Sequence, residues 1–413
     1  SWLDSKNIKF MLWIAPWVLG DMADEAISKG YFLPSDNRFS KDILNMVGMG
    51  MTDAQKVNDT EYMLNVFKPN VLRYIRTLDK KNIWRFARKN LDMRFDSQNP
   101  DAVETARTSL IQDIEQINTV EELQKILHIA NNGRILVDYT NPDAVKWWQN
   151  GLRKILKDGV DGFKLDRAEE VVPKSREVMA YNGQSGRELR NDYPVLYLKA
   201  TYQVTRQEKS EFILLPRAAY TGSARYGVFW GGDIHPPAQG LRTAIIAQLR
   251  CSIMGYPIWT SDTGGFSGAI DREVTARWLA FSCFSPIMDV GPTGDHGFWN
   301  MPDDPHYDAQ RLAIWRLYTK LHQHLIDYTY SHAKQAQETG MPIVRPLYLM
   351  FPKQEQAWSK WQTYMYGDDI LISPVWQKNK ATHRLYLPQG ETWVDAWNPD
   401  KELAGGRMPD VNT

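Results

Sequence analysis

Two cysteines in 413 residues, Cys251 and Cys283, are too few for a disulfide framework, and neither belongs to a Cys-x-x-Cys pair. Both lie in apolar surroundings. A surplus of charge is also lacking. The 49 basic residues are matched by 49 acidic ones, so neither nucleic acid nor an acidic or basic partner is advertised. No run of about 18 apolar residues occurs, which argues against a membrane span. No signal-peptide pattern is present, and Ser1 is not an initiator Met, so the expectation is a start further upstream or a processed one. Cytoplasmic, periplasmic and secreted locations are all compatible with this composition. Internal repeats and low-complexity stretches are missing as well.

What is present is aromatic. The 16 Trp and 19 Tyr can build a bulky core, but flat apolar faces with polar tips also suit sugar rings and protein interfaces. The length permits two or three domains. Several short apolar runs stop abruptly at polar or glycine-rich ends: IKFMLWIAPW (8–17), DGFKLD (161–166), EFILLPR (211–217), YGVFWGGD (226–233), PIWTSD (257–262) and SPIMDVG (285–291). Such runs suit strands buried on both faces. Helical patterns such as PDAVKWWQNGLRKILKD, AQGLRTAIIAQLRCSIMG and REVTARWLAFSCF separate most of them, and that alternation predicts α/β architecture, a (β/α)8 TIM barrel. Six strands are visible where a closed barrel needs eight. Either two are hidden or the N-terminal strands precede Ser1, leaving this polypeptide with open strand edges unless a missing segment or another copy of the chain supplies them.

Residues 36–134 break the rhythm. They are polar and helical in pattern, and read as a helical insertion in a barrel domain spanning 1–335; Arg73, Arg76, Lys80 and Lys81 read as a solvated helix face. From 336 to 413 short β-rich segments divided by Gly, Pro and Asp read as an antiparallel C-terminal β-sandwich domain, truncated at GGRMPDVNT.

Three carboxylates stand at the carboxyl ends of their runs, where barrel enzymes place functional groups: Asp166, Asp233 and Asp262. Two convergent carboxyls can divide labour on a glycosidic bond, one attacking the anomeric carbon and the other trading protons. Arg167 or Lys164 would favour an ionised Asp166, and walls such as Phe229 and Trp230 a protonated Asp233. Each also has a plain alternative. An Asp after a strand is often a helix N-cap, and an Asp beside Gly-Gly is often a turn residue.

At DGFKLDRAEE the chain resembles glycoside hydrolase family 31, a family of retaining α-glycosidases whose nucleophile strand reads DGxxxDxxE. The resemblance runs collinearly through WIAPWV, DYTNPDAVKWW, RAAYTGSARYGVFWGGD, TSDTGGF, RWLAFSCFSP, RPLYLMFP, YGDDILISPV and LYLPQGETWVDAW. It implies Asp166 as nucleophile, Asp233 as general acid/base, and Arg217 as an arginine that bonds sugar hydroxyls and braces the site. It further implies Trp230 and Phe266 as aromatic walls, Asp262 as a structural or sugar-adjacent aspartate and Glu169 as a supporting carboxylate. Trp13 ends the first run and could face the pocket. Lys164 matches α-xylosidase-like branches, where many α-glucosidases carry Trp. No cofactor or metal is implied; His235 and Asp233 are too few ligands for one. The implied partner is an oligosaccharide or glycoside.

Two departures from that pattern bear on the sugar. Ala15-Pro16 stands where many α-glucosidases have an Asp-Pro pair, and FSPIMDVGPTGDHG replaces their R-x-H triplet with Asp289 and Gly291. Losing charged hydrogen bonds worth roughly 1.5–3 kcal/mol each weakens glucose recognition, so a xyloside or galacto-configured glycone is expected, with Asp289, Asp295 or His296 as replacement clamps. An α-transglycosylase and a catalytically inactive carbohydrate-binding barrel are the rival readings.

Overall fold

The computed structural model describes residues 2–19, 21–33, 60–77, 99–120, 122–123, 135–169, 171–172, 176, 178–235, 238–266, 271–290 and 308–413. Strand β4 (Gly162–Leu165) forms from the apolar run GFKL. Phe163 and Leu165 are fully buried. By the two-residue period of a strand, Lys164 points to the opposite face, and Asp166 just beyond the strand continues that side. β4 runs parallel to β5 (Ile213–Pro216), with Gly162 opposite Ile213 and Leu165 opposite Pro216. The approach is so close that a Cβ on Gly162 would stand 2.2 Å from the Ile213 carbonyl oxygen. Any side chain there pushes the two strands apart.

β1 (Met11–Ile14) lies on the other edge of β4, giving the order β1-β4-β5. The wall continues past β5. Val228 N–H donates to Leu214 O at 3.0 Å, leading into β6 (Phe229–Trp230), which pairs in parallel with β7 (Trp259–Thr260). Beyond β7, Thr260 Oγ1 donates to Ile287 O at 2.9 Å, Thr263 N–H donates to Asp289 O at 2.9 Å, and Asp262 bridges Asp289 in parallel. The helices 142–157, 192–208, 238–253 and 272–283 fall between these strands in the chain. Strand-helix alternation with parallel pairing is the expected (β/α)8 plan; Asp166, Arg217, Asp233 and Asp262 follow the carboxyl ends of its strands, and Asp289 bridges Asp262.

The helix starts are written locally. Asn141 accepts from Asp143 N and Ala144 N, with Pro142 in the first turn, so residues 142–157 begin on a capped end. Asp271 caps 272–283 by accepting from Val274 N. Ala144, Trp148, Leu152 and Leu156 form the buried stripe of 142–157.

The chain divides into two compact units, one of Ser1–Phe10, Ile14–Asp161 and Arg167–Phe212, the other of Met11–Trp13, Gly162–Asp166 and Ile213–Thr413. In the first, helix 192–208 accompanies 142–157: Arg153 pairs with Glu208 at 2.8 Å, and Gln149 Nε2 donates to Ala200 O at 3.0 Å. Tyr139 packs on Trp148, Tyr193 and Tyr197, with ring centroids 5.4–5.8 Å apart. β2 (Trp17–Val18) and β3 (Ile135–Leu136) pair antiparallel in the same unit. Within residues 36–134 the described segments are mainly helical, with Lys68–Thr77 and Pro100–Gln116 the longest helices. There Arg107 donates to Ile75 O at 2.6 Å. Arg73 and Arg76 are exposed, and Arg76 pairs with Glu115 at 2.5 Å; Lys80 and Lys81 lie outside the described residues.

In the second unit the helices Ala309–His324 and Ile326–Thr339 lead to three antiparallel sheets. The first is β8 (Val344–Pro346), β9 (Tyr364–Tyr366) and β10 (Ile370–Ile372), in the order β10-β9-β8. β11 (Thr382–Arg384) pairs with β14 (Asp410–Asn412), and β12 (Thr392–Asp395) with β13 (Asn398–Ala404). Leu347, Ala357, Met365 and Tyr386 form their common core. Tyr364 donates to Phe284 O at 3.2 Å, so this antiparallel domain is tied to the end of helix 272–283.

Three strand expectations are corrected. The run 8–17 breaks into β1 and β2 at Ala15-Pro16, where proline fixes φ and removes a donor. The run 285–291 contributes only the bridge at Asp289. β3 was not anticipated, because two paired residues are too few to show periodicity.

Candidate active site

Asp166 closes β4, and the chain after it turns at once. Arg167 and Ala168 both have positive φ, 65° and 88°. That conformation is uncommon for non-glycine residues and costs of order 1–3 kcal/mol each. Ala168 is fully buried, so the surrounding structure enforces the turn and aims Asp166 off the strand end. Both carboxylate oxygens are engaged. Arg217 Nη1 lies 2.8 Å from Oδ1, and Trp13 Nε1 donates to Oδ2 at 3.1 Å. A cation from the neighbouring strand, Arg217, thus stands at Asp166; it follows β5, and its backbone N–H donates to Leu165 O at 2.8 Å.

Asp233 is delivered by the Gly231-Gly232 turn after β6. Gly232 has φ of +73°, and a Cβ there would stand 2.9 Å from Arg217 Cδ. Glycine is thus required twice over, by conformation and by the guanidinium arm beside it. Arg217 Nη1 reaches Asp233 Oδ1 at 3.8 Å. The Asp233 side chain is 46% exposed while that of Asp166 is 12% exposed. One carboxyl is held in the wall and the other stands towards solvent, with one guanidinium nitrogen between them.

The second cluster adjoins the first. Lys164 Nζ lies 3.5 Å from Asp262 Oδ1 and 3.4 Å from Asp289 Oδ2, and 4.0 Å from the Trp230 ring centroid. Lys164, one of the two cations expected to favour an ionised Asp166, is thus held between two other carboxylates. Trp230 Nε1 donates to Asp262 Oδ1 at 3.1 Å; the ring is buried, and Arg217 lies 5.9 Å from its centroid. Trp230 joins the two clusters from within the wall.

Asp262 is fully buried. Burial pushes its carboxyl up to about 7, Lys164 opposes that rise, and Asp289 adds to it. Of the two roles expected for Asp262, full burial fits the structural one and leaves no surface for a sugar. Gly264 and Gly265 both carry φ of +90°, and Phe266 N–H donates to Ile234 O at 2.8 Å. This sets the half-buried Phe266 beside the Asp233 segment.

Glu169 is exposed on the turn after Asp166, and His235 is exposed. Asp289 is the residue whose part was understated: it was only a candidate clamp, yet it completes the Lys164 cluster. The signal available was its position at the end of an apolar run, shared with Asp166 and Asp262. Asp295 and His296 lie outside the described residues.

The collinear motifs find their counterpart in comparison with known proteins. The family model described as "Glycosyl hydrolases family 31 TIM-barrel domain" matches residues 1–332, and "Glycosyl hydrolase family 31 C-terminal domain" matches 340–412. An isomaltosyltransferase of Sporosarcina globispora is 34% identical over 274 residues, covering 64% of this chain and 25% of its own. An alpha-xylosidase of Saccharolobus solfataricus is 36% identical over 268 residues, 61% of this chain and 36% of its own. A GH31 sulfoquinovosidase from E. rectale in complex with an aza-sugar inhibitor shares the fold at 22% identity, with a TM-score of 0.68 over 100% of this chain and 50% of its own. The chain spans between 25% and 43% of the length of the curated relatives it matches. With four-fifths of its length under the first of these matches, the chain belongs to glycoside hydrolase family 31.

Proposed function

We propose that the chain carries the active site of a retaining α-glycosidase, with Asp166 as nucleophile and Asp233 as general acid/base. One observation carries the reading. A single nitrogen, Arg217 Nη1, lies 2.8 Å from Asp166 Oδ1 and 3.8 Å from Asp233 Oδ1, so those oxygens are no further apart than the sum of the two distances. That bound sits at the lower edge of the roughly 6.5–9.5 Å used for inversion and is compatible with the roughly 5–5.5 Å used for retention.

The reaction runs in two displacements. Asp166 forms a bond to the anomeric carbon as the glycosidic C–O bond breaks, and the departing oxygen takes the proton of Asp233. Water then attacks the same carbon, giving its proton to Asp233 while the bond to Asp166 breaks. The exposed Asp233 is suited to exchange protons with leaving group and water; the braced Asp166 is suited to a fixed line of attack. Arg217 stays with both and stabilises the charge that passes between them.

The glycone we favour is xylose or galactose rather than glucose. Ala15 is buried and apolar, and Asp289 is turned to Lys164, so neither site of the missing glucose clamps is refilled by these residues. The alpha-xylosidase relative supports xylose. A second reading, transglycosylation, is favoured by the isomaltosyltransferase relative; a sugar hydroxyl then replaces water in the second displacement, with the same residues. Initial rates on p-nitrophenyl α-xyloside, α-galactoside and α-glucoside, with product analysis by chromatography, test both points. Preference for the glucoside overturns the glycone, and oligosaccharide products at low donor concentration favour transfer.

A further inference from the structure

Lys164 is a cation held on three sides by its neighbours, with 24% of its side chain exposed. An ammonium has three N–H donors. Around Nζ stand Asp262 Oδ1 at 3.5 Å, Asp289 Oδ2 at 3.4 Å and the Trp230 ring face at 4.0 Å. Trp230 is itself fixed through its Nε1 bond to Asp262. Two carboxylates therefore share one ammonium in a partly buried place, and the side chain of Asp289 keeps 18% of its surface open. The neighbouring cation, Arg217, is engaged with Asp166 and Asp233. Lys164 thus stands against Asp262 and Asp289, and Arg217 against Asp166 and Asp233.

The structure assigns Asp289 as a positioning residue that, with Asp262, withholds Lys164 from the ligand and so restricts the glycone pocket to uncharged sugars. The inference rests on the glycosidase reading for the identity of the pocket and adds to it the charge class of the glycone. A uronate or sulfonate sugar entering beside Asp166 meets the Asp166, Asp233 and Asp289 carboxylates, against which Lys164 and Arg217 already stand, so these two cations offset the repulsion only in part.

The groups facing Asp262 also tie the arrangement to pH. Lys164 comes from β4, Trp230 from β6 and Asp289 from the segment after helix 272–283. Asp262 Oδ2 is buried with no hydrogen-bond partner in place among the described residues; burial chiefly raises its proton affinity, and the Asp289 carboxylate adds to the rise. A proton on Asp262 is therefore held partly by Asp289.

The test compares the full chain with Asp289→Asn and Asp289→Glu on p-nitrophenyl α-glycosides of a neutral sugar and on p-nitrophenyl α-glucuronide. The wild type is expected to prefer the neutral glycoside by roughly a hundredfold in kcat/KM. Asp289→Asn should narrow that ratio about tenfold, mainly through KM, because one opposing charge is gone and Lys164 is freed. Asp289→Glu should restore the ratio. The KM for the neutral substrate should inflect near pH 7 in the wild type and at lower pH in Asp289→Asn. An unchanged ratio and an unmoved inflection in folded Asp289→Asn overturn the proposal. Should the wild type cleave no glycoside, the hydrolase reading fails, and calorimetric binding of xylose, glucose and glucuronate to both proteins still decides the selectivity. Should Asp289→Asn not fold, equal wild-type binding of glucose and glucuronate overturns it.

Discussion

Arg217 Nη1 lies 2.8 Å from Asp166 Oδ1, and the same guanidinium nitrogen is 3.8 Å from Asp233. The arm that makes this contact passes Gly232 so closely that a Cβ there would meet it at 2.9 Å. Brace and turn therefore act as one device, and each can be broken separately.

Arg217→Ala removes a charged hydrogen bond worth roughly 1.5–3 kcal/mol. Because the guanidinium pairs with Asp166 at 2.8 Å and stands 3.8 Å from Asp233, the two carboxyls proposed to react, kcat/KM should fall at least tenfold to a hundredfold. Arg217→Lys should recover only part of it, since an ammonium cannot reproduce the planar fork. Steady-state kinetics on an aryl α-glycoside would show this; a variant as fast as wild type removes Arg217 from the site.

Gly232→Ala places a side chain where φ is +73° and Arg217 Cδ is 2.9 Å away. The expected result is a kcat reduced tenfold or more, with a modest loss of stability of about 1–3 kcal/mol. Thermal unfolding together with kinetics separates the two effects. Unchanged kcat in a folded protein would mean the arm moves aside without cost.

Ala168, buried with φ of 88°, tests the turn behind Asp166. Ala168→Gly relieves the backbone and should leave stability equal or slightly raised. Ala168→Val adds volume and a branched Cβ at positive φ, and should destabilise by about 2–4 kcal/mol. Denaturant unfolding midpoints measure both; a Val variant as stable as the Gly variant contradicts the strained turn.

Asp262 makes a pH prediction with a definite sign. Its folded carboxyl is raised to about 7 by burial, with Asp289 adding to the rise, against about 3.9 in an unfolded chain. Between those values the folded protein holds a proton that the unfolded chain has released. The contribution is fully present below about pH 4 and is lost as pH rises towards 7. Relative to Asp262→Asn, which is neutral at every pH, wild type should lose stability steadily over that window. Parallel stability curves for the two proteins would contradict it.

Much of this site was legible because strand ends announce themselves. DGFKLD and FWGGD each join an apolar run to an acid, and the glycines of FWGGD mark the close approach that the structure then shows at Gly232. What could not be read was who pairs with whom. Lys164 stands two residues from Asp166 in sequence, yet its carboxylate partners lie 98 and 125 positions away. Charge proximity along the chain suggested that Arg167 or Lys164 serves Asp166, whereas the alternating period of β4 and the wall beyond β7 bring Lys164 to Asp262 and Asp289. The burial of Asp262 was hidden for a similar reason, since it depends on Trp230 and Asp289 folding over a turn that by itself looks solvated. Short strands escaped as well: β3 has two paired residues, and β2 is parted from β1 by Pro16.

The division of labour between the two aspartates is tested most directly with azide. In Asp233→Ala the glycosyl-enzyme on Asp166 still forms from an activated α-glycoside, and azide entering from the leaving-group side should give the α-glycosyl azide. In Asp166→Ala azide takes the place of the missing nucleophile and should give the β-glycosyl azide. Product anomers read by proton NMR decide the matter: opposite anomers from the two variants are predicted, and the same anomer from both, or undiminished hydrolysis without azide in either, would contradict the account.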